Sequence, residues 1–106
     1  MIALHVGGRR AALMQGGRRI VSFPAEGLTW WRELFGDVSQ IDDSFADLEK
    51  AAKAYLFAKL YPYVREKHKL VETLREVDDF VAVYWMWEVK NRGPRAVVAF
   101  KKLFQL

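Results

Sequence analysis

The tetrapeptide Gly-Gly-Arg-Arg occurs twice within HVGGRRAALMQGGRRIVSF, residues 5–23, and each copy separates two short apolar runs. A glycine pair between alternating runs is typical of a tight β-hairpin, because glycine adopts without strain the positive φ angles that two-residue hairpin turns require. Two such turns in succession predict a three-stranded antiparallel meander over about 2–6, 9–15 and 18–23. No other feature of the sequence constrains the fold as strongly.

Two-residue loops also predict which side chains of the meander face each other. His5 is expected opposite Arg10, and Arg10 opposite Phe23. Ala3 is expected opposite Ala12, which in turn faces Val21. The predicted core face carries Ile2, Leu4, Val6, Ala11, Leu13 and Ile20, with Arg9 and Arg18 near the turns. The opposite face is predicted to be flatter and to carry His5, Arg10, Arg19 and Phe23.

Helical patterns fill the middle of the chain. The segment LTWWRELFGD is typical of a short helix that ends at Gly36. A second helix is expected to have an apolar stripe from Ile41 to about Tyr61, where Pro62 bends or breaks it. A third helical stripe continues to about Glu76. Residues that suit cap or first-turn positions of the second helix are Ser39, Asp42, Asp43 and Ser44.

The segment FVAVYWMWEV, residues 80–89, is rich in β-branched and aromatic residues. This composition predicts a fourth strand, which we expect to pair beside the first one. In that strand Trp85 and Trp87 share one face with valines and are expected in the core, with a position in a cleft as the alternative, whereas Tyr84 faces the other way. The sequence KNRGPR then predicts a basic turn. Residues 95–106 favour a helix because Pro94 suits a first-turn position, although the run Ala96–Phe100 also suits a strand.

Together these elements predict an α+β domain. We expect a four-stranded antiparallel sheet, made of the N-terminal meander and the strand at about 80–89, with helices packed on one side. The 106 residues fit one domain, 1–106, and a hydrophobic content of 52% is that of a globular protein. Because no apolar run approaches roughly 20 residues and the start is not typical of a signal peptide, we expect a cytoplasmic protein without membrane association.

The formal net charge of +4 is unevenly distributed along the chain. Residues 1–23 hold four arginines and no acid, residues 24–79 hold eight basic and twelve acidic side chains, and residues 80–106 hold five basic side chains and one acid. A fold that brings the two ends together would form a positive face on a negative body. The scarcity of Asn and Gln beside abundant Lys, Arg and Glu fits a thermophilic source.

The sequence lacks the features of a catalytic site. It contains no cysteine and two histidines, His5 and His68, and no motif for phosphate, dinucleotide or zinc-dependent chemistry. The acidic pairs Asp42-Asp43 and Asp78-Asp79 suit helix ends and turns. We therefore expect no enzymatic activity, no cofactor and no metal site.

Basic side chains interleaved with aromatic rings suit single-stranded nucleic acid, because cations neutralise phosphates and rings stack on bases of any sequence. Trp30 and Trp31 point in different directions on a helix, so at least one of them is expected to be exposed. Simple solvation is the alternative interpretation of the arginine pairs and of the KNRGPR turn. The candidate nucleic-acid-binding residues are His5, Arg9, Arg10, Arg18, Arg19, Phe23, Trp30, Trp31, Tyr84, Lys90, Arg92 and Arg95.

The meander IALHVGGRRAALMQGGRRIVSF, the TWWRELF helix, the acidic central helices and VAVYWMWEVKNRGPRA together resemble the ThermoDBP family and its shorter relatives. These are single-stranded DNA-binding proteins of hyperthermophilic archaea. The resemblance covers most of the chain. It implies a cleft between sheet and helices, apolar inside and basic at the rim, that takes the bases of a single DNA strand. An RNA-binding role would use the same surface.

A protein-interaction module is the alternative function. In this interpretation the apolar C-terminal segment AVVAFKKLFQL docks a partner or a second copy of the chain, so that a homodimer is one expected form. The side chains that would carry this contact are equally suited to covering the chain's own core. They are Val97, Phe100, Phe104 and Leu106.

Overall fold

The chain folds into an antiparallel sheet and a set of helices, which confirms the predicted α+β class. The computed structural model describes residues 2–37, 40–41 and 48–106. The strands are β1 (Ile2–Gly7), β2 (Arg10–Gln15), β3 (Arg18–Pro24) and the two-residue β4 (Gln40–Ile41). The α-helices are α1 (Leu28–Phe35), α2 (Leu48–Leu60), α3 (Lys67–Glu76), α4 (Asp79–Arg92) and α5 (Pro94–Phe104), and short 3-10 helices cover Ala25–Gly27 and Tyr61–Tyr63. The predicted capping residues Ser39, Asp42, Asp43 and Ser44 lie outside the described residues.

Both predicted hairpins form, but only the second one turns on its glycine pair. In the second hairpin, both loop residues, Gly16 and Gly17, have positive φ angles of 58° and 77°, as a type I′ turn requires. In the first hairpin the loop is Gly8-Arg9, because Gly7 already pairs with Arg10. Only Gly8 has a positive φ there, which is the pattern of a type II′ turn. This shifts the first register by two residues, so each side chain keeps its predicted face.

A β-bulge in β3 changes the faces of two residues. The β2–β3 register shifts by one residue between Leu13 and Met14, so that Val21 pairs with Leu13 and Phe23 pairs with Ala11. A shift of one residue moves a side chain to the opposite face of the sheet. Val21 and Phe23 therefore lie on the core face, and the prediction that they face outward is wrong.

The predicted strand at 80–89 is wrong, because these residues belong to helix α4. The Asp78 carboxylate caps the helix by accepting a hydrogen bond from the Phe80 backbone N–H at 2.9 Å. Its last turn carries basic residues, which favour a helix C-terminus, and the helix ends at Gly93. These capping interactions and burial at helical spacing override the strand propensity of the segment. The buried residues of α4 are Ala82, Met86 and Val89.

The sheet consequently has three full strands instead of the four predicted. The strand order is β3-β2-β1-β4, and β4 extends it beside β1 through the pairs Ile2–Ile41 and Ala3–Gln40. Because β4 covers the β1 side, β3 is the strand at the opposite edge of the sheet. This edge position of β3 becomes important for the candidate site.

Helix α2 lies at the centre of the fold. It contacts both β3 and α4, while α5 packs on α4 and α1 packs on α3. Side chains around its whole circumference are buried, which is typical of a helix enclosed on all sides. The buried residues of α2 are Ala51, Ala52, Ala54, Tyr55, Leu56, Phe57, Ala58 and Leu60.

An aromatic cluster joins the sheet to α1 and α2. Phe23 stacks on Trp31 with ring centroids 5.6 Å apart, and it meets Phe57 edge to face at 5.3 Å. The Trp31 ring also contacts Phe35 at 4.5 Å. Such pairs stabilise a core beyond the area that they bury. Trp31 is therefore a core residue, whereas Trp30 is half-buried at the edge of the same core.

The C-terminal segment forms the predicted helix, α5, and covers the chain's own core. Val97 and Phe100 are buried, and Phe104 and Leu106 pack against the core at its margin. The Phe100 ring meets Trp85 of α4 edge to face at 5.4 Å. The four side chains considered for partner docking are thus used within the chain.

Gly27, at the junction of β3 and α1, tests this packing. A Cβ at Gly27 would lie 3.0 Å from ring atoms of Phe23 and of Tyr61. We expect Gly27→Ala to lower the free energy of unfolding by about 1–3 kcal/mol, because the packed rings have little room to move. Gly7→Ala is the matched control: a Cβ there meets no atom within 4 Å, and the change should stay within about 0.5 kcal/mol. Urea denaturation of both variants measures the difference, and equal losses would contradict the packing around Gly27.

Candidate nucleic-acid interface

The outer face of the meander is basic but carries no Phe, Tyr or Trp. His5, Arg10 and Arg19 are exposed there, as predicted. The Arg10 guanidinium donates a hydrogen bond to the Ser22 hydroxyl at 2.9 Å, across the strand pair β2–β3. Phe23, the ring expected on this face, is completely buried on the other one. The predicted stacking platform on the sheet is therefore not formed.

The two arginine pairs lie at opposite ends of the sheet. Arg9 lies in the β1–β2 turn and Arg10 begins β2, whereas Arg18 and Arg19 follow the β2–β3 turn. The six residues of β2 separate the two turns, a distance of about 20 Å at 3.3 Å per residue. The four arginines consequently do not form one patch, and Arg19 of the second pair shares a groove with Lys59.

A cleft of about 190 Å³ separates the sheet from helix α4 near this second turn. Its walls are mainly apolar and come from β1, β2, β3, α2 and α4. Trp87 stands at the opening with 54% of its surface exposed, so one ring is accessible to a ligand. The lining residues are Ile2, Leu13, Gln15, Ile20, Leu48, Ala51, Tyr55, Met86, Trp87 and Lys90.

Lys90 provides the positive charge of the cleft. Its ammonium nitrogen lies 5.3 Å from the centroid of the Trp87 ring and 5.1 Å from that of Tyr55. Both distances are within the range of a cation–π interaction. The Lys59 ammonium also lies 6.0 Å from the centroid of the Tyr55 ring. Burial raises the pKa of Tyr55, so its phenol stays neutral at physiological pH and orients two lysines without adding negative charge.

A second groove, of about 320 Å³, follows the exposed edge of β3. Arg19 and Lys59 line it from opposite walls, and Tyr63 stands beside them with 57% of its surface exposed. Lys59 connects the two grooves, because it lines the second one and approaches Tyr55 of the first. We name the combined region the β3-edge surface. It consists of Arg19, Lys59, Tyr63, Trp87 and Lys90.

The turn that presents Tyr63 is fixed from below by Lys67. The Lys67 ammonium donates hydrogen bonds to the backbone carbonyls of Tyr61 and Val64. It also lies 4.1 Å from the centroid of the Tyr61 ring. Burial lowers the pKa of Lys67, while the nearby carboxylate of Glu26 acts in the opposite direction. These contacts hold the backbone on both sides of Tyr63, so its exposed ring is positioned by a rigid turn.

The predicted site residues are dispersed over the structure. Arg19 and Lys90 lie on the β3-edge surface, and Arg18 is exposed at the adjacent turn. Phe23 and Trp31 are corrections, because exposures of 0% and 1% leave neither ring accessible. The other predicted residues lie elsewhere. Three are on the meander, namely His5, Arg9 and Arg10, and Trp30 is half-buried at the core margin. Tyr84 is exposed on α4, Arg92 lies 3.1 Å from Glu88 in the same helix, and Arg95 is exposed at the start of α5.

Sequence reasoning missed Lys59, Tyr63 and the exposure of Trp87. Trp87 was expected in the core because the segment was predicted to be a strand. On a helix, Met86 and Val89 point to the core, and Trp87 and Lys90 share a neighbouring side, three residues apart. Helical spacing across 82–90 would have indicated this arrangement, whereas no local pattern marks Tyr63.

Other classes of site are not seen in the part of the chain that the structure describes. Within residues 2–37 and 48–106, no three His, Asp or Glu side chains converge to hold a metal ion. None of the described helices has the length and apolar character needed to cross a bilayer. Comparison with protein-family models, curated proteins and solved structures finds no match to this chain.

The two tryptophans Trp31 and Trp87 should respond in opposite ways to truncation. We expect Trp31→Ala to cost about 3–5 kcal/mol of unfolding free energy, because it empties a filled core position. Trp87→Ala should cost less than about 1 kcal/mol, since half of the ring is already in water. Urea denaturation measures both values, and acrylamide quenching of the Trp87→Ala variant should show the loss of the accessible fluorophore. A loss at Trp87 as large as that at Trp31 would place this ring in the core.

Proposed function

We propose that this protein binds single-stranded nucleic acid through the β3-edge surface. The observation that carries the proposal is the exposed Trp87 ring at the opening of an apolar cleft, with the Lys90 ammonium 5.3 Å from it. A ring next to a cation serves both parts of a nucleotide, because the ring stacks on the base while the cation contacts the phosphate. The ligand is single-stranded DNA, or RNA on the same surface.

The composition of the surface favours binding without sequence preference. Trp87 and Tyr63 offer faces for stacking, and every base has a π-face. Arg19, Lys59 and Lys90 contribute charge, which contacts phosphates regardless of the base. Duplex DNA hides the faces of its bases, so the rings give an advantage to single strands.

The shape of the cleft also supports the proposal. It lies between sheet and helices, has apolar walls and carries Lys90 at its rim. This is the form that the ThermoDBP resemblance implies, so the resemblance and the surface lead to the same hypothesis. The alternative, partner docking through the C-terminal segment, is weakened because Val97 and Phe100 are buried in the chain's own core.

The charge contribution should appear in the salt dependence of binding. Contacts from three cations to a single strand give a slope of log K against log salt of roughly −2, at about −0.7 per phosphate. We expect Arg19→Ala and Lys59→Ala each to flatten this slope by about 0.7. Arg9→Ala is the matched control, because Arg9 is exposed in the β1–β2 turn, at the opposite end of the sheet from Arg19. Fluorescence anisotropy with a labelled oligonucleotide measures the slopes, and equal effects of Arg9 and Arg19 would remove the β3-edge surface from the interface.

The stacking contribution should appear in the affinity of Trp87→Ala. Loss of one stacked base is worth roughly 1–3 kcal/mol, or about a ten- to hundredfold weaker binding. Leu103→Ala, an exposed apolar position on α5, should leave the affinity unchanged. The wild-type chain should also prefer a single strand over the matched duplex. Absence of binding to either form at low salt would refute the proposed function.

A further inference from the structure

Helix α4 carries an aromatic stripe on the side that faces solvent. The exposed fractions are 84% for Phe80, 56% for Tyr84 and 54% for Trp87. At 100° per residue these three side chains and Asn91 fall within an arc of about 60° on the helix. Large apolar side chains that are exposed together mark an interaction surface more often than isolated ones do. We name this set, Phe80, Tyr84, Trp87 and Asn91, the α4 stripe.

The spacing of the α4 stripe suits packing against another helix. Its members are separated by four, three and four residues, which is the spacing of the a and d positions of a coiled coil. This series of spacings, 4-3-4, is the same in both directions along the helix. A second α4 lying antiparallel therefore presents the same spacing, with Phe80 facing Asn91 of the copy and Tyr84 facing Trp87 of the copy. This is the isologous contact that a two-fold axis generates.

The charges of α4 favour the antiparallel arrangement. Acidic residues lie at its N-terminus, where Asp78 caps the helix and Asp79 occupies the first turn, and basic residues lie in its last turn, at Lys90 and Arg92. Asp79 lies 3.7 Å from Lys53 and Arg92 lies 3.1 Å from Glu88, but the side chains of Asp79 and Arg92 both remain more than half exposed. In an antiparallel pair each acidic end meets a basic end, and the helix dipoles oppose each other favourably. A parallel pair would place like charges together.

The same charges argue against nucleic acid as the ligand of the whole stripe. Phe80, its most exposed member, follows Asp78 and Asp79 directly, and an acidic pair repels a phosphate backbone. Only the Trp87 end of the stripe is basic, and that end belongs to the β3-edge surface.

We propose that a second copy of this chain docks on the α4 stripe, α4 against α4, in an antiparallel two-fold dimer. The inference does not rest on the proposed function, because Phe80 and Tyr84 are outside the β3-edge surface. Trp87 belongs to both surfaces, so a second copy and a nucleic-acid strand compete for its ring.

Sedimentation equilibrium without nucleic acid tests whether the pair forms. The wild-type chain should show a reversible monomer–dimer equilibrium, and Phe80→Ser/Tyr84→Ser should weaken it by about tenfold or more. Val98→Ser/Leu103→Ser is the matched control, because both residues are exposed on α5, and it should dimerise like wild type. Thermal melts should show every variant folded, since the replaced side chains are exposed. A strictly monomeric wild type, or equal weakening by the α5 control, would overturn the proposal.

Disulfide cross-linking tests the orientation, because the chain has no cysteine of its own. Phe80→Cys and Asn91→Cys variants of different mass are mixed and oxidised. If the pair is antiparallel, the cross-link between Phe80→Cys and Asn91→Cys forms in excess over Phe80→Cys homodimers. It also forms in excess over cross-links to Glu72→Cys, a control variant with its cysteine at an exposed position of α3. Dominant Phe80→Cys homodimers would show a parallel pair and overturn the arrangement. If Phe80→Ser/Tyr84→Ser weakens oligonucleotide binding while the wild type stays monomeric, the stripe serves nucleic acid and not a second copy.

Discussion

The enclosure of helix α2 is the constraint on which the rest of the structure depends. Eight of its residues are buried, and four of these are alanines, whose small side chains allow β3 and α4 to approach it closely. Strand β3 and helix α4 are therefore both positioned by their packing against α2. The edge of β3 and the side of α4 that carries Lys90 come to lie on either side of Tyr55, and the cleft between them follows from this packing. Replacement of the alanines by larger residues would separate the two walls before it affected any residue of the site itself.

The N-terminal half of the fold could be predicted largely from the sequence, because hairpin turns depend on local chemistry. Glycine pairs specify turns through φ angles alone, and the meander has the three predicted strands. The bulge in β3 could not be predicted in the same way. It extends β3 by one residue against β2, so that both Val21 and Phe23 reach the core. The benefit of burying these two side chains depends on Trp31 and Phe57, which are remote in sequence.

Two of the charged residues of the candidate site were candidates from the sequence, whereas nothing in the sequence indicated Tyr63 or an exposed Trp87. Uneven distribution of charge along the chain led to the expectation that basic groups from both terminal segments come together. In the structure Arg19 and Lys90 line two different grooves, which Lys59 and Tyr55 connect. Their partners are Lys59 and Tyr63 from the central, acidic segment, where no local pattern distinguishes them from ordinary solvated residues. A site assembled by packing from three separate segments has no sequence motif, because motifs arise where the chemistry needs residues at fixed distances along one element.

Helix α4 is predicted as a strand from the sequence because apolar residues lie on several of its sides. The same distribution of apolar residues makes the helix a candidate binding surface. A helix that packs on one neighbour has one apolar stripe, and its period indicates a helix. Helix α4 is apolar on three sides: Met86 faces the α2 side, Trp85 faces α5, and Phe80, Tyr84 and Trp87 share the side that faces solvent, where Trp87 also lines the cleft. This uniform apolar character erases the helical period and leaves β-branched and aromatic propensity as the dominant pattern. The core needs the first two of these sides. On the third side, Tyr84 meets the edge of Trp85 and Trp87 lies beside the Lys90 ammonium, yet more than half of each exposed ring stays in water. The excess of aromatic residues that obscured the helix is therefore also the reason to expect ligands on this side.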